Sequence, residues 1–344
     1  MRTRNLILDK FLQQVDDLVT ATVESNCNGK LLQIAKTHFQ SKGKMLRPKV
    51  IYHLGRVFNV TVDDLVPWAA CCELLHNATL VHDDLQDGDL MRRGKPTIWK
   101  QFGPEQAINL GDFLIFMAPQ TILNSELEDK VVRQLCVLFS QTSNCLVNGQ
   151  SLEFELNKFK KIDSLESDYL DCITKKTSAL FSGVALGVAV MAGASDETKR
   201  RIDYIFNLAG RVFQMQDDIL DLFGDKNRGE VGCDIKEGKV SLIIVKHLAN
   251  HPEDYLFTKT ILLKKRDETT IADIERFKEL VLHKNTLNEA LLDLHATIDL
   301  ISNDKFLLQN PALYNNLMNL LDEFVQPINH LQPLEIDYCE ANVS

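Results

Sequence analysis

One short pattern, used twice, constrains this chain more than any other feature. Asp83-Asp84-Leu85-Gln86-Asp87 is matched far downstream by Asp217-Asp218-Ile219-Leu220-Asp221, with the same DDxxD spacing in an apolar, helix-compatible run each time. On an α-helix, positions i, i+1 and i+4 fall within about 100° of arc, so each trio is expected to point one way. Three carboxylates on one face repel one another unless a cation compensates. Two such faces set opposite each other describe a site for hard divalent ions. Mg²⁺ suits it best, because it takes a few carboxylates, some waters and the phosphate oxygens of a substrate. A fold that uses both motifs must bring two distant helices together.

The rest of the chain agrees with a helical fold. Apolar residues recur at steps of three and four almost throughout, with few alternating runs. Gly (16) and Pro (9) are scarce for 344 residues, while helix-forming Leu, Ala, Lys and Glu are plentiful. The spacing predicts helices over roughly 5–25, 29–40, 44–58, 62–91, 104–125, 128–159, 164–192, 195–223 and 239–249, with several more beyond 254. Turn signals separate them at Asn26 to Gly29, Ser41 to Gly43, Gly103-Pro104 and Gly193 to Asp196, and the clearest loop is Gly224 to Gly229. The length would allow two domains, but no Pro/Gly/Ser-rich linker divides the chain. One all-α domain over 1–344 is expected, with a polar tail from about 331.

Composition removes several function classes. A net charge of −10 without a long basic stripe argues against nucleic acid as a partner. No apolar run reaches the roughly 18 uncharged residues of a transmembrane span. The start, MRTRNLILDKFLQQVDDL, has neither the apolar core nor the cleavage site of a signal peptide and turns acidic too soon for a transit peptide. Eight cysteines without a CxxC pair read as reduced core thiols of a cytoplasmic protein.

Several residues near the aspartates could serve the same site. Gly43-Lys44-Met45-Leu46-Arg47-Pro48 puts two cations at a helix start, a good place for a diphosphate. His76 lies two turns before Asp83 on the same helical face. Arg92-Arg93-Gly94 follows Asp87, either as an ion-pair set or as forks for phosphate. Lys176-Thr177 sits among small and apolar residues, Gln214 one turn before Asp217 and Asp218, and Lys239 closes Gly232-Cys233-Asp234-Ile235-Lys236-Glu237-Gly238-Lys239. Taken singly, such residues are more often solvated charges or packed polar groups than parts of a site.

Taken in order, GKxxRP, HxxxxxxDDxxDxxxxRRG, KT, FQxxDDxxD and GxDIxEGK resemble the trans-isoprenyl diphosphate synthases, the prenyltransferases related to farnesyl and geranylgeranyl diphosphate synthases. The resemblance runs from Lys44 to Lys239. It implies an isoprenoid synthase-type helical bundle around a deep central cavity, usually as a homodimer. It implies condensation of isopentenyl diphosphate with an allylic diphosphate, using three Mg²⁺ ions for which Mn²⁺ can substitute. By resemblance, Asp83, Asp87 and Asp217 hold the ions, with Asp84, Asp218 and Asp221 in or beside that shell. Arg92, Lys176 and Lys239 would hold the allylic diphosphate, and Lys44, Arg47, His76 and Arg93 isopentenyl diphosphate. The Lys176 carbonyl, Thr177 and Gln214 would face the carbocation.

One position departs from the family pattern: Gly229-Glu230 stands where many members carry Gly-Lys, and Lys226 or Arg228 would have to substitute. Product length is expected to depend on the small pair Ala78 and Thr79, one turn before the first motif, with Phe113, Phe116 and Met117 as candidate floors. Both small residues favour a product of about C20, with C15 and longer chains left open. The competing readings are a class I terpene cyclase, which usually carries an Asn/Ser/Glu second motif and needs no isopentenyl diphosphate site, and an inactive partner subunit, which commonly loses aspartates.

Overall fold

The computed structural model describes residues 2–41, 43–224 and 231–331, with side chains from Leu6 onward. Helices α1 (Arg2–Asn26), α2 (Gly29–Phe39), α3 (Leu46–Val57) and α4 (Val62–Gln86) precede a short hairpin of β1 (Met91–Arg92) and β2 (Lys95–Pro96). Then come α5 (Ile98–Phe102), α6 (Pro104–Met117), α7 (Gln120–Leu123), α8 (Asp129–Leu156), α9 (Leu165–Ile173), a π-helical turn (Thr174–Ser178), α10 (Ala179–Met191) and α11 (Asp196–Phe223). The C-terminal part adds α12 (Cys233–Lys236), α13 (Leu242–Asn250), α14 (Tyr255–Leu262), α15 (Ile271–His283), α16 (Thr286–Ser302), α17 (Lys305–Leu308) and α18 (Pro311–Val325). The loop with Lys226, Arg228 and Glu230, and the tail beyond Leu331, lie outside the described residues.

The two aspartate helices begin on caps the sequence supplies. Thr61 Oγ1 accepts from Asp64 N at 3.2 Å ahead of α4, and Ser195 Oγ accepts from Thr198 N at 3.1 Å ahead of α11. Acidic residues fill both first turns, where the helix dipole favours negative charge.

Three expected helices end or deform early, each for a local reason. The helix expected over 62–91 stops at Gln86, because Gly88 turns left-handed (φ 70°) and the chain enters the hairpin. The two residues at the hairpin tip, Arg93 (φ 51°) and Gly94 (φ 74°), both have positive φ, as a two-residue turn of matching twist requires. The helix expected over 104–125 breaks after Met117, since Pro119 can neither donate nor sit beneath the preceding turn. Periodicity over 164–192 is uninterrupted, yet residues 174–178 widen into a π turn that carries Lys176 and Thr177.

That π turn is squeezed between two helices that approach it through glycine. A Cβ on Gly149 of α8 would lie 2.2 Å from the Lys176 backbone nitrogen, and one on Gly210 of α11 would lie 2.5 Å from Ser178 Cα. Backbone cannot yield as a flexible side chain can, so both positions require glycine's missing Cβ. Around this waist, α4 packs on α1, α3, α6 and α10, and α10 packs on α8 and α11. A continuous apolar cluster runs from Phe11 to Ile328. Among the described residues no helix is long and apolar enough to cross a membrane. Seven described cysteines are free; Cys145 is exposed and the others are buried or half-buried. Substituting Gly149→Ala or Gly210→Ala is expected to destabilise the protein by about 1–3 kcal/mol each, the usual range for overfilling a packed site. Denaturant unfolding measures this, and wild-type stability in both variants would mean that α8 and α11 shift freely.

Candidate active site

Between α4, α8, the π turn and α11 lies a cavity of about 600 Å³, within the range of small-molecule sites. One end is charged: Asp83 and Asp87 from the end of α4, Asp217 and Asp218 from α11, Glu153 from α8, and Lys176, Lys239 and Asp234 all line it. Leu75 lies two turns before Asp83, about 12 Å along α4. There it joins Ile115, Leu146, Val147 and Leu180 in an apolar lining. Leu75, Leu146 and Leu180 form a small cluster of their own, backed by Ile115 and Phe139.

The cations meet the carboxylates directly. Lys239 Nζ lies 2.7 Å from Asp87 Oδ2, and Lys176 Nζ lies 2.5 Å from Glu153 Oε2. Burial pulls both ammonium groups down, but Asp87 around Lys239 and Asp83 and Glu153 around Lys176 outweigh it, so both are shifted up. Burial pushes the Asp83 carboxyl up; Lys176 opposes this and Asp87 adds to it. Arg47 and His76 line the same cavity. Burial lowers Arg47 to about 10, and its Nε is buried without a hydrogen-bond partner among the described residues. Burial, with Arg47, Arg92 and Arg93 nearby, holds His76 well below the usual imidazole value and keeps the ring neutral.

The six aspartates do not share one role. Positions i and i+4 on a helix stand about 40° apart, while i+1 is rotated about 100° from i. Asp84 is accordingly buried away from the cavity, where Arg92 Nε and Nη2 each reach its Oδ1 at 2.5 Å. Burial still pushes it up to about 6. Asp218 lines the cavity, but its oxygens accept from Tyr169 Oη at 2.8 Å, Gln214 Nε2 at 2.8 Å and the Leu242 amide at 2.7 Å. Burial raises it to about 7, and Asp234 adds to the shift. Asp221 lies outside the lining and accepts from the Asp234 amide at 3.0 Å, tying down the turn into α12.

Other expected residues divide similarly. Arg92, Lys176, Thr177, Gln214 and Lys239 line the cavity, whereas Lys44 is exposed and outside it. Arg93 sits beside a smaller adjoining hollow and donates to the Ser41 carbonyl at 2.6 Å. Of the small pair, Thr79 lines the cavity, but Ala78 is fully buried in the core and does not. None of the three candidate floors lines it. Phe116 is 70% exposed, because α6 turns Leu110, Gly111 and Leu114 inward and offers Ile115 to the cavity. Sequence reasoning missed Glu153, Tyr169 and Leu146, which carry no motif, and left Asp234 without a role although it stands inside a quoted phrase.

A helical bundle that closes around a cavity with facing aspartates at one end and aliphatic residues at the other defines an isoprenoid-synthase architecture. The comparisons agree. The polyprenyl synthetase family model matches residues 28–281. A short chain isoprenyl diphosphate synthase of Methanocaldococcus jannaschii is 33% identical over 280 residues, which is 80% of this chain and 82% of that protein. A geranylgeranyl diphosphate synthase of Sulfolobus acidocaldarius is 34% identical over 263 residues, 74% of this chain and 78% of its own. The crystal structure of a polyprenyl synthase from Caulobacter crescentus, complexed with calcium and isoprenyl diphosphate, superposes with a TM-score of 0.80 at 26% identity, over 93% of this chain and 95% of that one. This chain belongs to the polyprenyl synthetase family, the trans-isoprenyl diphosphate synthases, whose members are metal-dependent enzymes.

The donor set fits a hard cation, since carboxylates from two helices face one cavity. Among the described residues no three acidic, His or Cys side chains close on one point. An ion there would therefore also need waters and phosphate oxygens, which is the ordinary habit of Mg²⁺. The division of labour is testable within the second motif. Asp218→Ala leaves two buried donors, Tyr169 Oη and the Leu242 amide, and the half-buried Gln214 amide without their acceptor, each buried one worth about 1–3 kcal/mol, and is expected to lower the melting temperature clearly. Asp217→Ala, which also relieves like-charge crowding in the cavity, is expected to lower it by less. Equal thermal stability of the two variants would contradict the assignment.

Proposed function

We propose that this protein condenses isopentenyl diphosphate head-to-tail with an allylic diphosphate to give a trans-polyprenyl diphosphate of about C20. The observation that carries the reading is a single cavity with paired carboxylates and cations at one end and aliphatic walls at the other. Geranylgeranyl diphosphate synthases among the relatives support the product class.

Asp83, Asp87 and Asp217 would hold three Mg²⁺ ions, Mn²⁺ substituting. Once bound, the metal stabilises negative charge on the departing diphosphate. Arg92, Lys176 and Lys239 would grip the same group by charge-assisted contacts. Arg47 would turn its Nε, buried without a hydrogen-bond partner among the described residues, to isopentenyl diphosphate, and neutral His76 would add a hydrogen bond rather than a charge. Thr177 Oγ1 donates to Gln214 Oε1 at 2.7 Å, and the Gln214 amide donates onward to Asp218. With its proton engaged, the Thr177 hydroxyl presents only lone pairs to the cavity, the polarity an allylic carbocation needs. The Lys176 carbonyl would add to it, and the aliphatic lining keeps water from the cation. The proton released on condensation leaves with the diphosphate.

We infer one catalytic domain, since the main apolar cluster spans the described chain. A homodimer is supported by the exposed apolar side chains Ile108 and Phe116 of α6 and Val137 and Val147 of α8. The free cysteines fit a reducing cytoplasm.

Purified protein given Mg²⁺, isopentenyl diphosphate and farnesyl diphosphate is expected to form a C20 product, and excess chelator is expected to abolish it. Chromatography of the dephosphorylated alcohols checks both; cyclic hydrocarbons, no product at all, or full activity in chelator would each overturn the reading. Thr79→Phe is expected to shorten the main product and Leu146→Ala to lengthen it. The ring fills the wall one turn below Asp83, whereas loss of the leucine opens the floor. Unchanged length distributions in both variants would place the growing tail elsewhere.

A further inference from the structure

Arg266 lies in the turn between α14 and α15, far from both aspartate motifs in sequence, yet it reaches the first of them. Its Nη1 donates to the Asp87 backbone carbonyl at 2.7 Å, and its Nη2 to Asp89 Oδ1 at 2.9 Å. Nη1 also stands 3.1 Å from Glu237 Oε1. The other Glu237 oxygen lies 2.8 Å from Lys239 Nζ, which in turn lies 2.7 Å from Asp87 Oδ2. The contacts close a ring that leaves Asp87 by its main chain and returns to it by its carboxylate. Glu237 is almost wholly buried within the ring, at 3% side-chain exposure. Asp89 also faces Arg92, at 3.9 Å, and Arg92 holds Asp84.

We propose that Arg266 is a positioning residue that sets the aim of the Asp87 carboxylate and the Lys239 ammonium, and so the affinity for the metal-bound allylic diphosphate. The proposal rests on the assignment of Asp87 and Lys239 made above. Asp87 caps α4, where the final carbonyls have no donor within the helix; Arg266 supplies one and fixes that peptide. Glu237 bridges Arg266 and Lys239 through its two oxygens; burial pushes its carboxyl up to about 8, and Lys239 opposes this. Without Arg266 it has one cation left, binds Lys239 more tightly, and draws the ammonium from the place where a diphosphate would meet it. Asp87 is then freed from both its peptide anchor and its register with Lys239.

The test compares wild type with Arg266→Ala, Arg266→Lys and the double variant Arg266→Ala/Glu237→Gln. Two readouts are used: the rise in melting temperature on adding Mg²⁺ with inorganic diphosphate, and the separate KM values for the two substrates. In Arg266→Ala the Mg²⁺ concentration for half the thermal shift and the allylic KM are each expected to rise about tenfold, the loss of one charge-assisted contact. The KM for isopentenyl diphosphate is expected to stay within about twofold of wild type. Arg266→Lys is expected to fall between, since an ammonium cannot span both partners. Adding Glu237→Gln should restore much of the allylic KM, because Lys239 is then released. An unchanged thermal shift and allylic KM in Arg266→Ala, or a double variant worse than the single one, would overturn the inference. If Arg266→Ala does not fold, Asp89→Ala removes one arm and is expected to give a smaller change in the same direction; no change would count against the proposal. A wild-type protein that gains no stability from Mg²⁺ and diphosphate would overturn the reading of the site itself, and the inference with it.

Discussion

Carboxylates from two helices meet across one cavity, and most of the polar architecture answers that repulsion. At an effective dielectric of 20, two like charges 4 Å apart repel by about 4 kcal/mol, a large fraction of a domain's net stability. The fold responds by using some aspartates as structural joints. Asp84 is neutralised by the Arg92 fork, Asp218 accepts three neutral donors, and Asp221 takes a backbone amide. Asp83, Asp87 and Asp217 line the cavity beside Asp218. In the first motif the helical angle between i and i+1 turns Asp84 away from Asp83 and Asp87; in the second, Asp217 and Asp218 both line the cavity and Asp221 does not, so there the ties are set by the neighbouring elements.

The π turn is the second constraint. It widens the helix between α9 and α10 where Lys176 and Thr177 must reach the cavity, and it fits only because α8 and α11 present glycine to it. Its polar groups are held by a relay that ends at Asp218 and the first residue of α13. The dipoles offered to a carbocation and the buried aspartate are therefore one connected network, and moving either disturbs the other.

The C-terminal helices, which bear no motif, buttress the charged end from outside. Lys246 of α13 is clasped between Glu166 of α9 and Asp293 of α16, one turn after the Leu242 amide that holds Asp218. Arg266 carries the same support to the tip of α4. The apolar end is built differently, from side chains of α4, α6, α8 and α10, with Val147 both lining the cavity and exposed. Within the cavity, charged contacts position the diphosphate end, while the tail end is bounded by shape.

Much of this was legible in the sequence. Three- and four-residue periodicity located the long helices, because an amphipathic face must recur at the helical period wherever it is buried. The paired motifs located the site, since clustered carboxylates among apolar residues demand compensation. Three kinds of fact came only from the tertiary structure. The facing of a side chain depends on rotation of its helix against neighbours, so Thr79 rather than Ala78, and Ile115 rather than Phe116, reached the cavity. The π turn leaves no periodic trace, because its widening is imposed by the helices packed against it. Glu153, Tyr169 and Arg266 act through partners remote in the chain, and sequence spacing carries no information about pairs that only folding brings together.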